Sequence, residues 1–339
     1  MSLLHSALRS GLLWASTNPT LKARLPRAAF VRRAVSRFMP GESLEDALAA
    51  CEALRVRGIG SVVTLLGENV TTADEARAVV THYAGVLEEI ARRGLDTEIS
   101  VKPTHLGLDL GAANARRSLD DLAACAAAHD SIVWIDMEGS ASTQSTLDVY
   151  RAAHAAHANT GVCVQAYLRR TGVDLERLLA DDAHPPHVRL VKGAYAEPPA
   201  LAFEKKAEVD ASFMALAARM LDAAATGAGR LIFGTHDSVA IQAIGEAAAA
   251  RGLSRTAFEF HMLYGIQREE QQRLAAEGYR VKVLISYGSA WFPWYMRRLA
   301  ERPANLAFVL RNLFPRAARL DPRAAAVNNR RAGNPETRR

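Results

Sequence analysis

Arg189 and Lys192 stand three residues apart in the run RLVKGAY, with Gly193 directly behind them. A short apolar strand that ends in two cations and a glycine brings fixed positive charge to backbone that a ligand can approach closely. The ligand that suits such a cluster is anionic and planar or bulky: a phosphate, a carboxylate, or a flavin, which presents both a pyrophosphate and a ring whose reduced form gains from a nearby cation. Other polar residues close short apolar runs in the same way: Glu68 and Asn69, Lys102, Asp136 and Glu138, Gln165, Thr235 with His236 and Asp237, His261, and Ser286 with Tyr287. Any one of them alone is most simply a solvated loop residue. Their recurrence on run after run points to one shared pocket.

The runs that must position them are SVVTLL (61–66), EISVKP (98–103), IVWIDME (132–138), VCVQAYL (162–168), VRLVKG (188–193), RLIFGTHD (230–237), FEFHMLY (258–264) and RVKVLISYG (280–288). Ala-rich amphipathic stretches separate them, over 72–93, 114–128, 143–158, 204–225, 238–251 and 267–277. Strands of period two alternating with helices long enough for a crossover predict a (β/α)8 TIM-like barrel, and no GxGxxG follows any strand, as an open dinucleotide-binding sheet would require. In such a barrel the loops at the C-terminal strand ends gather the active site, which is where the polar residues fall. Ser43 with Asp46 three residues on reads as the capped start of a helix before the first strand. The expected organisation is a basic helical arm over 1–42, a catalytic barrel over 43–315 closed by a C-terminal helix over its mouth, and a basic, flexible tail over 316–339.

The chain has 339 residues, 49% of them hydrophobic and 23% charged, which excludes a disordered or fibrous protein. Its net charge of +6 is unevenly placed: residues 1–41 hold seven Lys/Arg and no acid, and 311–339 hold eight Arg against Asp321 and Glu336, leaving the middle negative. Basic ends without interleaved aromatics do not suit nucleic acid. They do suit the anionic face of a membrane, where a basic residue gains on the order of 1 kcal/mol. The run SGLLWAS near the start falls far short of the roughly 20 apolar residues that span a bilayer. Cys51, Cys125 and Cys163 show no CxxC spacing and favour a reducing compartment. A cytoplasmic chain that touches the inner face of the membrane through its ends is the expectation.

Taken together, VKPTHLG, IDME, VQAYL, RLVKGAY, GTHD, FEFHMLYG and RRLAERPANL resemble the monofunctional bacterial proline dehydrogenases over about residues 31 to 310. The resemblance implies a distorted (β/α)8 barrel, FAD as cofactor, oxidation of L-proline to Δ1-pyrroline-5-carboxylate, and a membrane quinone as electron acceptor. Carried onto this chain, it makes Lys102 a partner of the substrate carboxylate, with Asp136 beneath it holding the lysine's charge and orientation. Met137, Gln165, Arg189, Lys192, Gly193, Ala194, Thr235 and His236 would contact the flavin, and Arg189 would raise its potential by stabilising negative charge on the reduced ring. In WYMRRLAERPANL, Arg297 and Arg298 precede Glu301 by four and three residues, so that all three share a helix face. The resemblance places the two arginines on the substrate carboxylate and Glu301 on its amine.

The chain departs from the family pattern at several points. Leu284 stands where a tyrosine usually packs against the substrate ring, Ser286 where proline is usual, Trp294 where a tyrosine precedes the arginine pair, and His261 where glutamine is common. These changes bear on the substrate, leaving open a substituted proline or another cyclic imino acid. Two other readings stand beside the dehydrogenase: a lyase using Lys102 or Lys192 as a Schiff-base amine, which needs a lowered pKa, and a flavin-binding module without turnover. A metal site at His154, His157, His184 and His187 is disfavoured, because the DDAHPPH loop lacks the carboxylate geometry to close it.

Overall fold

The computed structural model describes residues 35–292 and Tyr295. Its strands are β1 (Gly60–Leu65), β2 (Thr97–Val101), β3 (Val133–Ile135), β4 (Thr160–Gln165), β5 (His187–Val191), β6 (Arg230–Gly234), β7 (Glu259–Leu263) and β8 (Arg280–Tyr287). All eight pair in parallel and in sequence order, and β8 returns to β1 with Gly60 opposite Lys282 and Leu65 opposite Tyr287, closing the barrel. Each strand coincides with one of the apolar runs. The ladders stop before the runs do: β3 ends at Ile135, and the next amide, that of Asp136, still donates to the Val101 carbonyl at 2.8 Å before the chain turns away. Glu68, Lys102, Asp136, Glu138, Lys192, Thr235, His236 and Asp237 therefore lie in the loops at the barrel mouth. Gln165, Arg189, His261, Ser286 and Tyr287 lie within strands, Tyr287 facing the helices with its hydroxyl on His82 at 2.7 Å.

The helices are α1 (Leu44–Arg55), α2 (Ala73–Arg92), α3 (Ala112–Ala127), α4 (Thr143–Ala156), α5 (Thr171–Leu179), α6 (Lys206–Ala225), α7 (Ser238–Ala250) and α8 (Arg268–Ala276). The Ser43 capping box forms as its spacing predicts, with the Asp46 amide donating to Ser43 Oγ at 3.1 Å and the Ser43 amide to Asp46 Oδ2 at 3.1 Å. Thr72 and Glu75 build the same device at the start of α2. Ala76, Val79, Tyr83, Val86, Leu87 and Ile90 then recur at three- and four-residue steps and are all buried on one face. Tyr83 carries this packing to the mouth: its hydroxyl accepts from the Leu65 amide at 2.8 Å and donates to the Ser100 carbonyl at 3.0 Å, bracing the ends of β1 and β2. Helix α5 has no counterpart among the amphipathic stretches read from the sequence. It is only 9 residues long, and the Arg170 guanidinium on Asp174 at 2.6 Å ties its first turn.

Side chains alternate between two cores, as strands covered on both faces must. Ile99, Val101, Val162, Val164, Val188, Leu190, Phe260, Met262, Val283 and Ile285 face the helices. The lumen is different in kind. Val62, Trp134 and Ile232 meet although they come from β1, β3 and β6, with Leu284 of β8 packed on them, so these residues fill the barrel axis. Below this plug, toward the N-terminal strand ends, lies a charged layer: Arg230 of β6 reaches across to Glu98 of β2 at 2.6 Å and holds Glu259 of β7 at 2.7 and 2.6 Å, while Lys282 sits 3.0 Å from Glu98.

Candidate active site

Above the plug, at the C-terminal strand ends, a second set of charges converges. Arg189 of β5 is 4% exposed, and its Nη2 donates to Asp136 Oδ1 at 2.5 Å and Ser100 Oγ at 2.9 Å. Ser100 Oγ donates in turn to Asp136 Oδ1 at 2.9 Å, so β2, β3 and β5 share one three-membered network. Burial works against the Arg189 charge, but the Asp136 carboxylate outweighs it and keeps the guanidinium firmly protonated. Its Nη1 is buried with no hydrogen-bond partner, and so is Oε1 of Gln165 on the neighbouring β4, whose Nε2 is held by the Met137 carbonyl at 3.3 Å. A buried guanidinium nitrogen and a buried amide oxygen left unmade on neighbouring strands each cost free energy unless a ligand group meets them.

Lys102 stands just past β2 and donates to Glu68 Oε2 at 2.9 Å. Asn69, which follows Glu68, adopts φ +58°, a left-handed turn that asparagine tolerates. The expectation that Asp136 would hold Lys102 is corrected here: Asp136 is committed to Arg189 and Ser100, and the carboxylate on Lys102 comes from the first βα loop instead. Lys102 and Asp136 share the mouth without pairing because Ser100, two residues before Lys102 on the same face, reaches Asp136 first.

Lys192 lies between Asp210 at 2.6 Å and Asp237 at 2.9 Å. Burial lowers the pKa of its ammonium, yet the two carboxylates more than offset this and leave it raised. An amine held this way is not a nucleophile, which removes Lys192 from the Schiff-base reading. Gly193 has φ +106°, and a Cβ there would stand 2.1 Å from the Tyr167 ring, so only glycine fits. Ala194 beside it is exposed. Thr235 is buried and accepts from the Asp237 amide at 3.1 Å, while the Leu263 amide donates to His236 Nε2 at 2.7 Å, which places the proton of a neutral imidazole on Nδ1. Glu138 turns out to be structural: it accepts from the Thr104 amide at 3.0 Å and hydroxyl at 2.9 Å, and burial raises its pKa. Leu284 faces the lumen over Trp134, and Arg297, Arg298, Glu301 and Trp294 lie outside the described residues.

At the opposite end of the barrel His154, His184 and His187 line one pocket, and the His154 and His187 rings meet edge-on with centroids 5.5 Å apart, but His157 and His184 each have a separate partner. His154 bonds Thr160 Oγ1 and the Pro185 carbonyl, His157 stands 3.6 Å from Asp120, and His184 stands 3.4 Å from Asp181. Among the described residues no group of three or more His, Cys, Asp or Glu is placed to hold a metal ion.

A protein-family model described as Proline dehydrogenase matches residues 47–311. The chain is 36% identical over 306 residues to Proline dehydrogenase 1 of Bacillus subtilis strain 168, covering 90% of this chain and 99% of that one. It is 35% identical over 286 residues to Proline dehydrogenase of Deinococcus radiodurans, covering 82% of this chain and 89% of the relative. The chain belongs to the proline dehydrogenase family. Among solved structures, proline utilization A from Bdellovibrio bacteriovorus superposes with a TM-score of 0.75 at 23% identity over 84% of this chain, which speaks for the fold. A Bradyrhizobium japonicum proline utilization A variant gives 0.69 at 26% identity. Those are longer proteins, and this chain spans about a third of their length, 34% and 32%.

Proline dehydrogenases are generally flavin-dependent oxidoreductases, and the residues at the mouth suit such a group. The unused Arg189 Nη1 and Gln165 Oε1 offer one donor and one acceptor to the mixed edge of a flavin ring, and the glycine-only turn at Gly193 keeps the backbone beside them bare. The residues that sequence reasoning missed are Ser100, Asp210 and Trp134. Ser100 and Trp134 each lie two positions before a residue that was singled out, Lys102 and Asp136, and the strand period alone would have put them on the same inward face.

Proposed function

We propose that this chain is an FAD-dependent L-proline dehydrogenase of proline catabolism. The observation that carries the reading, beyond family membership, is the buried Arg189 network at the C-terminal strand ends, which leaves one guanidinium nitrogen and the Gln165 carbonyl oxygen unmade. In the reaction the ring carbon next to nitrogen gives up a hydride and the nitrogen a proton, forming the cyclic imine Δ1-pyrroline-5-carboxylate. Bound flavin supplies the hydride acceptor. The chain's own residues do the rest: Lys102, together with Arg297 and Arg298, fixes the substrate carboxylate, Glu301 takes the amine, and the pose is set by orientation rather than by bond-making.

Met137, Gln165, Arg189, Lys192, Gly193, Ala194, Thr235 and His236 form the flavin cradle in this reading, with Lys192 held as a fixed charge by Asp210 and Asp237. Electrons then pass to a membrane quinone. The basic ends over 1–42 and 316–339 serve as an arm and a tail that bring a cytoplasmic enzyme to the anionic inner face, an arrangement supported by their charge. Among the described residues no helix is long and apolar enough to cross a membrane.

Anaerobic mixing of the flavin-loaded protein with L-proline tests the assignment. Bleaching of the oxidised flavin band, with one Δ1-pyrroline-5-carboxylate formed per flavin reduced, is the expected result. A loaded protein that L-proline leaves fully oxidised overturns it.

A further inference from the structure

The plug between the two charged layers holds a tryptophan that no feature of the flavin cradle requires. Trp134 is 0% exposed at the barrel axis. The guanidinium carbon of Arg189, from the layer above, lies 5.1 Å from the centroid of its ring, and that of Arg230, from the layer below, lies 5.6 Å away. Its indole Nε1 donates to Glu98 Oε2 at 2.7 Å, and the His261 ring meets it edge-on with centroids 5.8 Å apart. The ring is thus clamped by one hydrogen bond to the lower layer and one ring edge from β7, and it offers its face to Arg189, the buried cation of the upper layer among the described residues.

That face completes the restraint on Arg189. Ser100 and Asp136 both bond Nη2 and the Cys163 thiol lies against the same side chain, contacts that anchor the guanidinium without reaching Nη1 or setting the plane of the group. A guanidinium attracted to a fixed aromatic face in a desolvated site loses that remaining freedom, because stacking defines the plane of the group as well as its place. With the plane set and Nη2 bound, Nη1 has one direction left, and it is the nitrogen without a partner.

We propose that Trp134 is a positioning residue for the redox step: it fixes the plane of Arg189 so that Nη1 is presented to the flavin, and it transmits to that site the rigidity of the Glu98 and Arg230 layer beneath. The proposal rests on the reading that Arg189 faces the flavin. A guanidinium held in place stabilises negative charge on the reduced ring and raises its potential, so a guanidinium released from its plane lets the potential fall.

The test is the midpoint potential of the bound flavin, measured by equilibrium reduction against a reference dye, with kcat and KM for L-proline alongside. Trp134→Leu removes the aromatic face. It is expected to shift the equilibrium between oxidised and reduced flavin about tenfold toward the oxidised form, about 30 mV for a two-electron couple, with kcat falling in proportion and KM changing less than about twofold. Trp134→Phe keeps a ring and loses the bond to Glu98. It is expected to shift the same equilibrium about threefold, and it serves if the leucine variant does not fold. Either variant, folded and flavin-loaded, with the potential of the parent protein overturns the proposal, because a merely structural tryptophan lowers the melting temperature and leaves the potential alone. Arg189→Lys separates the two levels of the argument: if it leaves the potential unchanged, the placement of Arg189 at the flavin is wrong and the proposal falls with it. If Arg189→Lys shifts the potential and neither Trp134 variant does, only the role of Trp134 is wrong.

Discussion

The lumen of this barrel carries two layers of buried charge, and they are finished differently. In the lower layer Glu98 receives Trp134, Arg230 and Lys282, Glu259 receives Arg230 twice, and Lys282 also reaches Asp96 at 2.5 Å, so that no side-chain atom of Glu98, Glu259, Arg230 or Lys282 is left buried without a partner. In the upper layer Arg189 and Asp136 form an equally short pair, yet Arg189 Nη1 and Gln165 Oε1 are orphaned. Buried ion pairs alone do not mark a site, since both layers have them. Unspent capacity on a charged group separates the layers: the buried guanidinium of the upper layer keeps one nitrogen without a partner, whereas the four charged groups of the lower layer keep none, although neutral groups such as His261, His187 and Thr146 also hold unpartnered atoms.

The contrast predicts that the layers fail in different currencies. Glu98→Ala strands Arg230 and Lys282 with one carboxylate fewer and deprives the Trp134 N–H of its acceptor. Removing one partner of a buried network costs about 3–5 kcal/mol. The expected outcome in urea unfolding is a loss of that size, while kcat of the protein that remains folded and flavin-loaded falls about threefold, as for Trp134→Phe, which loses the same Trp134–Glu98 bond. A loss below about 1 kcal/mol would mean that the lower layer is as loosely made as the upper, and the comparison would break.

His261 sharpens it from the boundary between the layers. It is 4% exposed, and neither ring nitrogen makes a hydrogen bond, Nε2 standing 3.5 Å from Glu259 Oε2. Burial pushes its pKa down to about 4, with Arg189 adding to the effect and Glu259 opposing it. A histidine whose folded pKa lies below its unfolded one binds fewer protons when folded, so it contributes stability that is complete above about pH 6.5 and is lost as pH falls toward about 4. The contribution is on the order of 3 kcal/mol. His105 is depressed likewise, to about 4, by burial and by Lys102, and acts in the same window. Unfolding free energies from pH 7 to pH 4.5 should therefore fall less steeply for His261→Gln than for the parent. Parallel curves would show that His261 is protonated alike in both states.

How much of this was legible beforehand follows from what each feature depends on. The strands, the capped α1 and the polar strand ends were readable because period, capping spacing and the polarity of a run's last residues are local properties. Helix α5 was not, since a 9-residue helix has too few turns to show a period. The pairing at the mouth was out of reach for a different reason. Lys102 takes Glu68 and Asp136 takes Arg189, and both choices depend on the register of strands that are distant in sequence. The lower layer was not read from the sequence at all: Glu98, Arg230, Glu259 and Lys282 stand at or near the starts of their strands, and only closure of the barrel turns them toward one another.

The smallest expected effect concerns Leu284, which belongs to neither layer and forms part of the apolar plug with Val62, Trp134 and Ile232. It packs on the plug at the point where the family resemblance places a tyrosine, and it is only partly buried. A leucine lining the substrate pocket would pack against a pyrrolidine ring but bring no hydroxyl and less bulk than a tyrosine, and such a pocket would tolerate a larger ring. Discrimination in an apolar pocket is modest, about 1–3 kcal/mol per methylene-sized change. Leu284→Tyr should move the ratio of kcat/KM for L-proline over that for a six-membered or ring-substituted analogue about tenfold toward proline, which is near the lower end of that range. The added ring would rest on Trp134, so the measurement also reports on the plug. A ratio that moves while the flavin potential stays fixed places Leu284 against the substrate alone, whereas an unmoved ratio removes it from the substrate pocket and leaves it as filling between two layers of charge.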